Sequence, residues 1–408
     1  MKTLYLMSKD LRLKENRTLE KACESDELAF AYLKPKDIDD MGEARLSFLI
    51  QSLKELNSEL KEAGQKFYVI NDETDLEKLD ITNLVLSKCF NTKDQERVDS
   101  IKSILKKNSA DVIEVENSNL YSTEDLPFSI EDVPPGFSSF RRKIEKSGIA
   151  FNHAAEYKIP KALSLELETI ESFFEANKNL KGNKDFYGGE EQALKRLHDY
   201  LWEKERAKTY KETRNGMIDF DDSTKFSPWL ALGCMSPITV MEELSEFEEK
   251  IERNESTYWI YFELLWREYF KLYSLKFGDK IFKLNGLGQK SFKIGNPSRQ
   301  EADFSLWKNG ETREPFVNAN MIELKKTGWM SNRGRQNVAS YLSKHMCVDW
   351  RWGAEWFEEN LIDYDVESNW GNWNYNAGVG VDPRDRKFNI QRQADMYDPD
   401  NEYQDKWL

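Results

Sequence analysis

Short apolar runs alternate with amphipathic stretches over the first 130 residues of this 408-residue chain. Between two of the runs, leucine and isoleucine recur from Leu46 to Leu60 at the spacing of one helical face. This alternation predicts an α/β domain with a doubly wound parallel sheet over residues 1–130. No G-x-G-x-x-G turn is present, so no dinucleotide site is predicted there. The predicted buried strands are Leu4–Met7, Leu28–Leu33, Phe67–Ile70, Leu84–Leu86 and Val112–Val115.

The pattern changes after residue 130. A loop rich in proline and glycine, Asp132–Phe137, begins a polar connection that we interpret as a linker over residues 131–180. From residue 181 to 408 the apolar spacing is helical throughout, which predicts a second, all-α domain. Within it, Ser227-Pro228 and Ser236-Pro237 each match a serine N-cap followed by proline at the first helical position.

Composition excludes several classes of protein. No run comes near the ~18 apolar residues of a membrane span, and Met1–Met7 is too short for a signal peptide. We therefore expect a soluble, cytoplasmic protein without a membrane partner. The four cysteines form no C-x-x-C pair and there are three histidines, which argues against a disulfide framework, a metal site or a histidine triad.

Charge is unevenly distributed along the chain. The net charge of −14 disfavours indiscriminate binding to nucleic acid. Between Lys280 and Lys344, however, twelve lysines and arginines stand against five aspartates and glutamates, a local excess of +7. A basic surface on an acidic protein is typical of contact with phosphates, although a solvated charge cluster would give the same counts.

All twelve tryptophans lie at or after Trp202, and seven of them fall between Thr327 and Leu408. They stand there among arginines, asparagines and the pair Asp363 and Asp365. Each buried indole N–H and each buried charge needs a partner, so a core built only for stability rarely has this mixture. The mixture predicts a pocket for a large, flat aromatic ligand with polar edges, and a flavin is the candidate.

One motif could bind the phosphates of such a ligand. The segment Asp222–Trp229 carries three hydroxyls and a lysine where a loop enters a helix. Unpaired N–H groups at such a place form an anion site. A diphosphate could be held by Ser223, Thr224, Ser227 and neighbouring amides, and ordinary helix capping by Ser227 is the alternative.

A second motif could recognise a base. Helical spacing places Glu263, Trp266, Arg267 and Phe270 on one face. A carboxylate, an indole and a guanidinium side by side can bind a base-like ligand by hydrogen bond, stacking and phosphate contact. An aromatic core stripe with a surface ion pair is the commoner alternative.

A third set of residues could tune a flavin. Two arginines flank a glycine in Ser331–Gln336, and Asp363, Asp365 and Asn369 follow downstream. An arginine paired with a buried carboxylate beside a flavin would change its electron affinity. An amide side chain near the ring nitrogens would control their protonation.

The order of these motifs resembles that of the photolyase/cryptochrome flavoprotein family, and specifically its DASH cryptochrome branch. The resemblance covers nearly the whole chain, and its last blocks are the most specific. The segments that carry it are Asp10–Asn16, Tyr210–Met217, Lys225–Cys234, Glu263–Glu268, Thr327–Asn337, Asp349–Phe357 and Tyr375–Gly380.

The resemblance implies a DNA repair enzyme driven by blue light, a deoxyribodipyrimidine photolyase. Family members hold FAD in a bent form inside the helical domain, and excited reduced flavin splits cyclobutane pyrimidine dimers by electron transfer. Asp363 would then pair with Arg335, Asp365 would serve the ribityl or adenine side, and Asn369 would lie near N5. The full set assigned to FAD is Tyr210, Ser223, Thr224, Lys225, Phe226, Ser227, Arg267, Arg335, Asp363, Asp365 and Asn369.

The resemblance also assigns a pocket for the dimer and a route for flavin reduction. Gln336 and Tyr375 look like the DASH branch, and Asn332 stands where photolyases for (6-4) lesions carry a histidine. The residues implied at the dimer are Glu263, Trp266, Asn332, Gln336 and Tyr375, and Trp350 and Trp373 match the inner two of the family's three reducing tryptophans.

Two positions depart from the family pattern. The third, surface tryptophan should lie about ten residues before Trp307, where Phe292–Arg299 contains neither tryptophan nor tyrosine. Either another aromatic residue completes the route or photoreduction is slow. Asn318 stands where aspartate is usual.

The branch further implies a preference for single-stranded DNA, where no partner strand opposes flipping of the dimer. Methenyltetrahydrofolate is its common antenna, with no ligands assigned here, and a monomer is expected. Two other functions stay open. A blue-light photoreceptor would bind nucleic acid or protein and repair little. A plain flavin redox protein would leave Glu263, Gln336 and the basic residues without a purpose.

Overall fold

The computed structural model describes residues 1–288, 290–381 and 387–408, which form two compact units. Each unit is assembled from segments that are separate in the chain. The first, an α/β unit, comprises Met1–Leu126, Gly148–Asp199 and Phe226–Glu246. The second, a helical unit, comprises Pro127–Ser147, Tyr200–Lys225 and Phe247–Leu408.

A parallel sheet forms the centre of the first unit. Its strand order is β3-β2-β1-β4-β5, and a short sixth strand pairs with β2. All five predicted strands are confirmed, because each predicted run lies inside an observed strand. The strands are β1 (Lys2–Met7), β2 (Glu27–Leu33), β3 (Phe67–Ile70), β4 (Asn83–Ser87), β5 (Asp111–Val115) and β6 (Lys161–Ala162).

Helices make up the rest of the regular structure. Among the described residues, no helix has the length and apolarity that a membrane crossing requires. In chain order the α-helices are α1 (Arg17–Ala22), α2 (Glu43–Glu62), α3 (Thr92–Lys107), α4 (Phe137–Ser147), α5 (Glu171–Ala176), α6 (Glu190–His198), α7 (Tyr210–Thr213), α8 (Ser227–Leu232), α9 (Pro237–Lys250), α10 (Glu255–Phe277), α11 (Gln300–Asn309), α12 (Pro315–Thr327), α13 (Asn332–Ser340), α14 (Trp350–Asn360), α15 (Val366–Ala377), α16 (Ile390–Tyr397) and α17 (Glu402–Trp407).

The sheet is buried because nearly every position of its central strands is apolar. Leu4 of β1 pairs with Ala29 of β2 on one side and with Leu84 of β4 on the other. All three residues belong to one buried cluster that also includes Ile101 of α3. Continuous apolar strands of this kind are typical of a parallel sheet covered on both faces. The predicted fold class, an α/β domain followed by helices, is confirmed.

A buried polar network fills the carboxyl end of the sheet between β1 and β4, where the strand order reverses. Asp10 accepts hydrogen bonds from the Tyr5 hydroxyl at 2.6 Å and from the Ser87 hydroxyl at 2.5 Å. Asn16 donates to Tyr5 at 3.0 Å and accepts from Asn117 at 2.9 Å. Doubly wound sheets commonly bind nucleotides at this crevice. Here side chains already bonded to one another occupy it, in keeping with the missing glycine-rich turn.

The two units do not follow the predicted contiguous boundaries at residues 130 and 180. Within the predicted linker, α4 buries Phe137, Phe140 and Ile144 and belongs to the helical unit. Residues 148–180 belong to the α/β unit, in which β6 pairs with β2. The segment that we interpreted as a linker therefore carries regular structure in both units.

The two predicted serine caps have different outcomes. At the start of α9, the Ser236 hydroxyl accepts a hydrogen bond from the N–H of Ile238 at 3.0 Å, as predicted. At α8 the prediction is wrong, because Ser227 is already helical and Phe226 takes the cap position without a side-chain bond. The alternative function of Ser227 as an ordinary cap is therefore not supported.

A buried carboxyl group joins α17 to α12. The hydroxyl of Tyr403 donates to Glu323 at 2.6 Å and to Asn320 at 3.1 Å. Burial raises the pKa of Glu323 to about 7, against the opposing effects of the Tyr403 bond and the charges of Lys225 and Lys406. The carboxyl group thus holds its proton in the folded protein over a range where the unfolded chain is ionised.

We expect Glu323 to make the free energy of unfolding fall by about 2–3 kcal/mol between about pH 5 and about pH 8. The contribution is complete below the unfolded pKa and is lost as the pH rises through the folded pKa near 7. Glu323→Gln stays neutral, so it should remove this part of the slope in denaturant titrations at the two pH values. Equal slopes in both proteins would contradict the prediction.

Candidate functional site

The predicted ion pair between Arg335 and Asp363 is present in the helical unit. Arg335 Nη2 donates to both carboxylate oxygens of Asp363, at 2.9 Å and 2.8 Å, and its Nε donates to the carbonyl of Met330 at 2.9 Å. The Asp363 side chain is 2% exposed. A fixed positive charge with a buried counter-ion therefore stands beside the segment that leads into α15.

Asp365 caps α15. Its carboxylate accepts from the N–H of Ser368 at 2.8 Å. Burial opposes its ionisation, but the charges of Lys271 and Arg267 and the Ser368 bonds together hold the pKa of Asp365 below its ordinary value. Lys271 is itself buried, and that burial lowers its pKa. The predicted cofactor residues Arg267 and Asp365 therefore belong to one buried set of opposite charges.

Asn369 is held by a single backbone contact. Its Nδ2 donates to the carbonyl oxygen of Ala354 in α14 at 3.1 Å, and the side chain is buried. This bond fixes which end of the amide faces α14 and turns Oδ1 the other way. The residue predicted to face a ring nitrogen thus presents a hydrogen-bond acceptor.

The predicted phosphate loop has an unusual backbone at its end. Lys225 has a φ of +57° and is buried, with its Nζ 3.7 Å from the centre of the Trp329 ring. Ser223 and Thr224, immediately before it, are half-buried. A non-glycine residue in this conformation costs free energy, and such strain clusters at functional sites.

Three further predicted cofactor residues lie at the starts of two short helices, α7 and α8. Tyr210 begins α7 and is buried, which raises its pKa. Phe226 and Ser227 lie at the start of α8, and both belong to the α/β unit rather than to the helical domain in which they were predicted. The phosphate motif therefore crosses from one unit to the next along the chain.

Glu263 forms an ion pair that the sequence did not reveal. Arg214 Nη1 donates to its carboxylate at 2.6 Å, and the guanidinium lies 4.4 Å from the centre of the Trp259 ring. Burial raises the pKa of Glu263, and the charge of Arg214 partly offsets this effect. About a third of the Glu263 side chain stays exposed, at 33%. A ligand can therefore still reach this carboxyl group.

Gln336 is oriented by a second arginine. Arg333 Nη1 donates to Gln336 Oε1 at 2.8 Å, and Arg333 Nη2 donates to Asn215 Oδ1 at 3.1 Å. Tyr397 covers the Arg333 guanidinium at 4.4 Å from its ring centre. Because the Gln336 oxygen is occupied, its NH₂ group is the end that can donate elsewhere. Burial lowers the pKa of Arg333, and the charge of Arg214 adds to this effect.

The remaining pocket residues are all partly accessible. Trp266 is half-buried and stacks on Phe137, with ring centres 3.7 Å apart and planes 9° apart. Tyr375 is half-buried in α15, and Asn332 is exposed at the start of α13. Together, the pocket residues combine aromatic faces with amide and carboxyl groups, and all are at least partly exposed. Such a set suits contact with a ligand that arrives from solvent.

Trp350 and Trp373 are buried, in contrast to the pocket residues. A Cβ at Gly353 of α14 would lie 2.3 Å from the indole of Trp373, so the glycine lets Trp373 pack against the helix that carries Trp350. Trp373 also meets Trp307, with ring centres 6.2 Å apart. Trp350 donates its indole N–H to the carbonyl of Leu284 at 2.9 Å.

The two departures from the family pattern have local explanations. Pro297, about ten residues before Trp307, begins a short 3-10 helix and supplies no aromatic ring. Instead Phe304 contacts Trp307 at 5.8 Å and half-buried Trp352 at 5.5 Å, so rings continue from the core toward the surface by another way. Asn318 donates to the carbonyl of Thr312, a bond that an aspartate could not supply.

Much of the predicted basic surface is already engaged. Arg333 and Arg335 are tied to Gln336 and Asp363 as described, and Lys344 Nζ donates to the carbonyl of Ala377 at 2.5 Å. Gln336 and Ala377 offer neutral oxygens, which compensate no charge. The carboxylate of Asp363, which lies outside residues 280–344, compensates that of Arg335, so the excess of +7 overstates by one the positive charge that a partner would meet.

Sequence reasoning missed three contributors, namely Arg214, Arg333 and Phe137. Arg214 lies inside the motif Tyr210–Met217, and Arg333 is one of the two arginines noted in Ser331–Gln336, but neither was assigned a function. Phe137 was assigned to a linker. A buried partner could have been sought for Glu263, but nothing in the spacing identifies Arg214, which is 49 residues away in the chain.

The donor set fits a flavin nucleotide. The buried Arg335–Asp363 pair and the acceptor of Asn369 suit a polar ring edge, and the hydroxyls before Lys225 suit phosphates. Among the described residues, no group of three or more His, Cys, Asp and Glu side chains could hold a metal ion.

Two protein-family models match the chain. The model described as "DNA photolyase" matches residues 3–160, and the model described as "FAD binding domain of DNA photolyase" matches residues 259–408. Together they cover the greater part of both units, and the second spans most of the proposed site.

Similar proteins cover nearly the full chain. A cryptochrome DASH of Synechocystis sp. is 42% identical over 98% of this chain and 86% of its own length, and one of Danio rerio is 41% identical over 90% and 73%. The crystal structure of a Synechocystis sp. cryptochrome superposes with a TM-score of 0.92 at 39% identity, covering 100% of this chain and 88% of that one. A class III photolyase of Agrobacterium tumefaciens gives 0.85 at 26% identity, covering 100% and 86%.

Proposed function

Because the chain belongs to the photolyase/cryptochrome family, in its DASH cryptochrome branch, and carries that family's FAD-binding domain, we propose that it repairs cyclobutane pyrimidine dimers with FAD under blue light. The observation that carries the proposal is the partly exposed set of Glu263, Trp266 and Gln336. It combines a carboxyl group, an indole face and a free NH₂ group, each held by a neighbour. These are the groups that recognise the edges and faces of pyrimidines.

Bound and reduced, FAD supplies the electron that opens the cyclobutane ring and receives it back afterwards. The residues of the chain bind, orient and exclude water. Arg335, with Asp363 buried behind it, would supply a fixed positive charge to a bound flavin ring and so favour extra electron density on it. Asn369 Oδ1 can accept a hydrogen bond from a protonated ring nitrogen and so hold that proton in place.

The phosphates of the cofactor fit the hydroxyl loop. Ser223 and Thr224 would donate to phosphate oxygens, and Arg267 with Tyr210 would complete the contact on the same unit. The lowered pKa of Asp365 keeps it ionised, so it can accept hydrogen bonds from the hydroxyls of the ribityl chain or ribose.

The dimer would be bound in a polar and aromatic pocket. Glu263 can bond a pyrimidine N–H or carbonyl edge according to its protonation, which burial makes easier. The NH₂ group of Gln336 can donate to a pyrimidine carbonyl, and Trp266 with Tyr375 can stack on the rings. Single-stranded DNA is the preferred substrate in this proposal because no partner strand has to be displaced.

Other features of the proposal concern the whole protein. A folate antenna of the methenyltetrahydrofolate type would transfer absorbed light to FAD, and the chain would act as a monomer in the cytoplasm. The crevice between β1 and β4 is filled by the Asp10 network, so we expect the antenna to bind elsewhere.

The test is repair of a cyclobutane thymine dimer by the purified, reduced protein under blue light. Single- and double-stranded oligonucleotides should be compared, with dark controls. We expect light-dependent loss of the dimer, faster on the single strand. Bound FAD with no repair of either substrate would contradict the proposal and favour a blue-light photoreceptor.

A further inference from the structure

Phe137, the first residue of α4, lies flat on the indole of Trp266. The ring centres are 3.7 Å apart and the planes differ by 9°. Phe137 is 7% exposed, whereas Trp266 keeps part of its surface exposed. One face of the indole is therefore covered by a buried ring, and Phe270 lies against the same indole at 5.5 Å. A ligand that reaches Trp266 meets the part of the indole that stays exposed.

Aromatic residues of α10 hold Phe137 in this position. The Phe137 ring meets Phe262 at 5.1 Å and Tyr269 at 5.9 Å, at angles of 80° and 74°. Phe262, Trp266 and Tyr269 share one face of α10, since they are four and three residues apart. Phe137 thus occupies a slot with one parallel ring and two nearly perpendicular ones, and the two edge-to-face contacts are of a kind that aromatic pairs prefer.

Hydrogen bonds tie the chain on both sides of Phe137 to the same helix. Before it, the hydroxyl of Tyr269 donates to the carbonyl of Pro135 at 2.5 Å. After it, Arg141 donates to the hydroxyl of Tyr258. The Phe137 ring cannot tilt away without disturbing these contacts, so the plane of Trp266 is fixed as well.

We propose that Phe137 is a positioning residue for the pyrimidine dimer. By covering one face of Trp266 and fixing its plane, Phe137 preorganises the exposed part of the indole for contact with a pyrimidine ring. A fixed indole loses little rotational freedom when the ligand binds, which preserves affinity. This inference rests on the proposed function, because it concerns how the same pocket recognises its substrate.

The test measures the Kd of single-stranded oligonucleotides with and without a dimer. Phe137→Leu keeps an apolar side chain but removes the flat ring, and we expect dimer binding to weaken about threefold to tenfold. Phe247→Leu is the matched control, because Phe247 is likewise a buried ring of the helical unit and packs on Trp202, with ring centres 5.5 Å apart. It should leave the affinity within about twofold of wild type. Phe137→Met provides a second variant with the same expected effect if the leucine variant folds poorly.

A double-mutant cycle separates positioning from general packing. If Phe137 acts through Trp266, Phe137→Leu should cause no further loss of dimer binding in a Trp266→Ala background. Equal losses in both backgrounds, or wild-type affinity for Phe137→Leu, would overturn the inference and leave the proposed function standing. A wild-type protein that binds dimer-containing and undamaged strands equally would instead overturn the proposed function, and this inference with it.

Discussion

Arg335→Ala is expected to lower the free energy of unfolding by about 3–5 kcal/mol and to leave the purified protein without FAD. The Asp363 side chain is only 2% exposed, and Arg335 donates to both of its carboxylate oxygens. Without the arginine, a buried negative charge has lost its partner and stands where the flavin ring should bind. Denaturant titration and the ratio of flavin to protein absorbance measure the two effects.

A control for this prediction is available on the surface. Arg299 is 66% exposed and pairs with Asp303 at 3.2 Å, so Arg299→Ala should cost less than about 1 kcal/mol. Combining Arg335→Ala with Asp363→Ala should cost less than the sum of the single changes, because the double variant leaves no uncompensated charge. Normal stability and normal flavin content in Arg335→Ala would show that the pair has neither function.

Trp266→Ala is expected to weaken binding of a dimer-containing single strand by about 10-fold to 100-fold, with flavin content unchanged. Stacking of one base on an aromatic side chain contributes affinity of this order, and part of the Trp266 side chain stays exposed. Glu263→Ala should act in the same direction, because it removes the carboxyl group that Arg214 holds in place. Fluorescence anisotropy with labelled oligonucleotides measures the affinity.

The same variants also test which ligand these residues serve. Loss of flavin from both Trp266→Ala and Glu263→Ala would contradict their assignment to the substrate side of the site. Trp202→Ala is a suitable comparison, since Trp202 is a tryptophan of the same unit that packs on Phe247. It should leave dimer affinity within about twofold of wild type.

The strands were predictable because local sequence determines them. Runs such as Phe67–Ile70 are apolar at every position, and only burial on both faces of a sheet satisfies that pattern. By contrast, α4 is mostly polar. Its three buried residues include Phe137, which packs against the aromatic face of α10. The predicted linker was therefore a failure of local information, since the contact that orders α4 is more than a hundred residues away in the chain.

The site shows the same division. The resemblance located Arg335 and Asp363 and implied that they pair, and the pair is present. Neither spacing nor composition could predict that Arg214 neutralises Glu263 or that Arg333 occupies the oxygen of Gln336. Those contacts depend on how the helices face one another. From the sequence alone, either Arg333 or Arg335 could have been the arginine that bonds Gln336.

The chain passes between the two units several times, with consequences for how the protein is made. The α/β unit lacks its last segment, Phe226–Glu246, until well over half of the chain has left the ribosome. The first segment of the helical unit, Pro127–Ser147, is in turn synthesised long before α10, the helix on which it packs. Neither unit can be released intact by one cut or expressed by truncation at one residue. A protease that nicks the chain near residue 130 should leave its fragments associated rather than separate two domains.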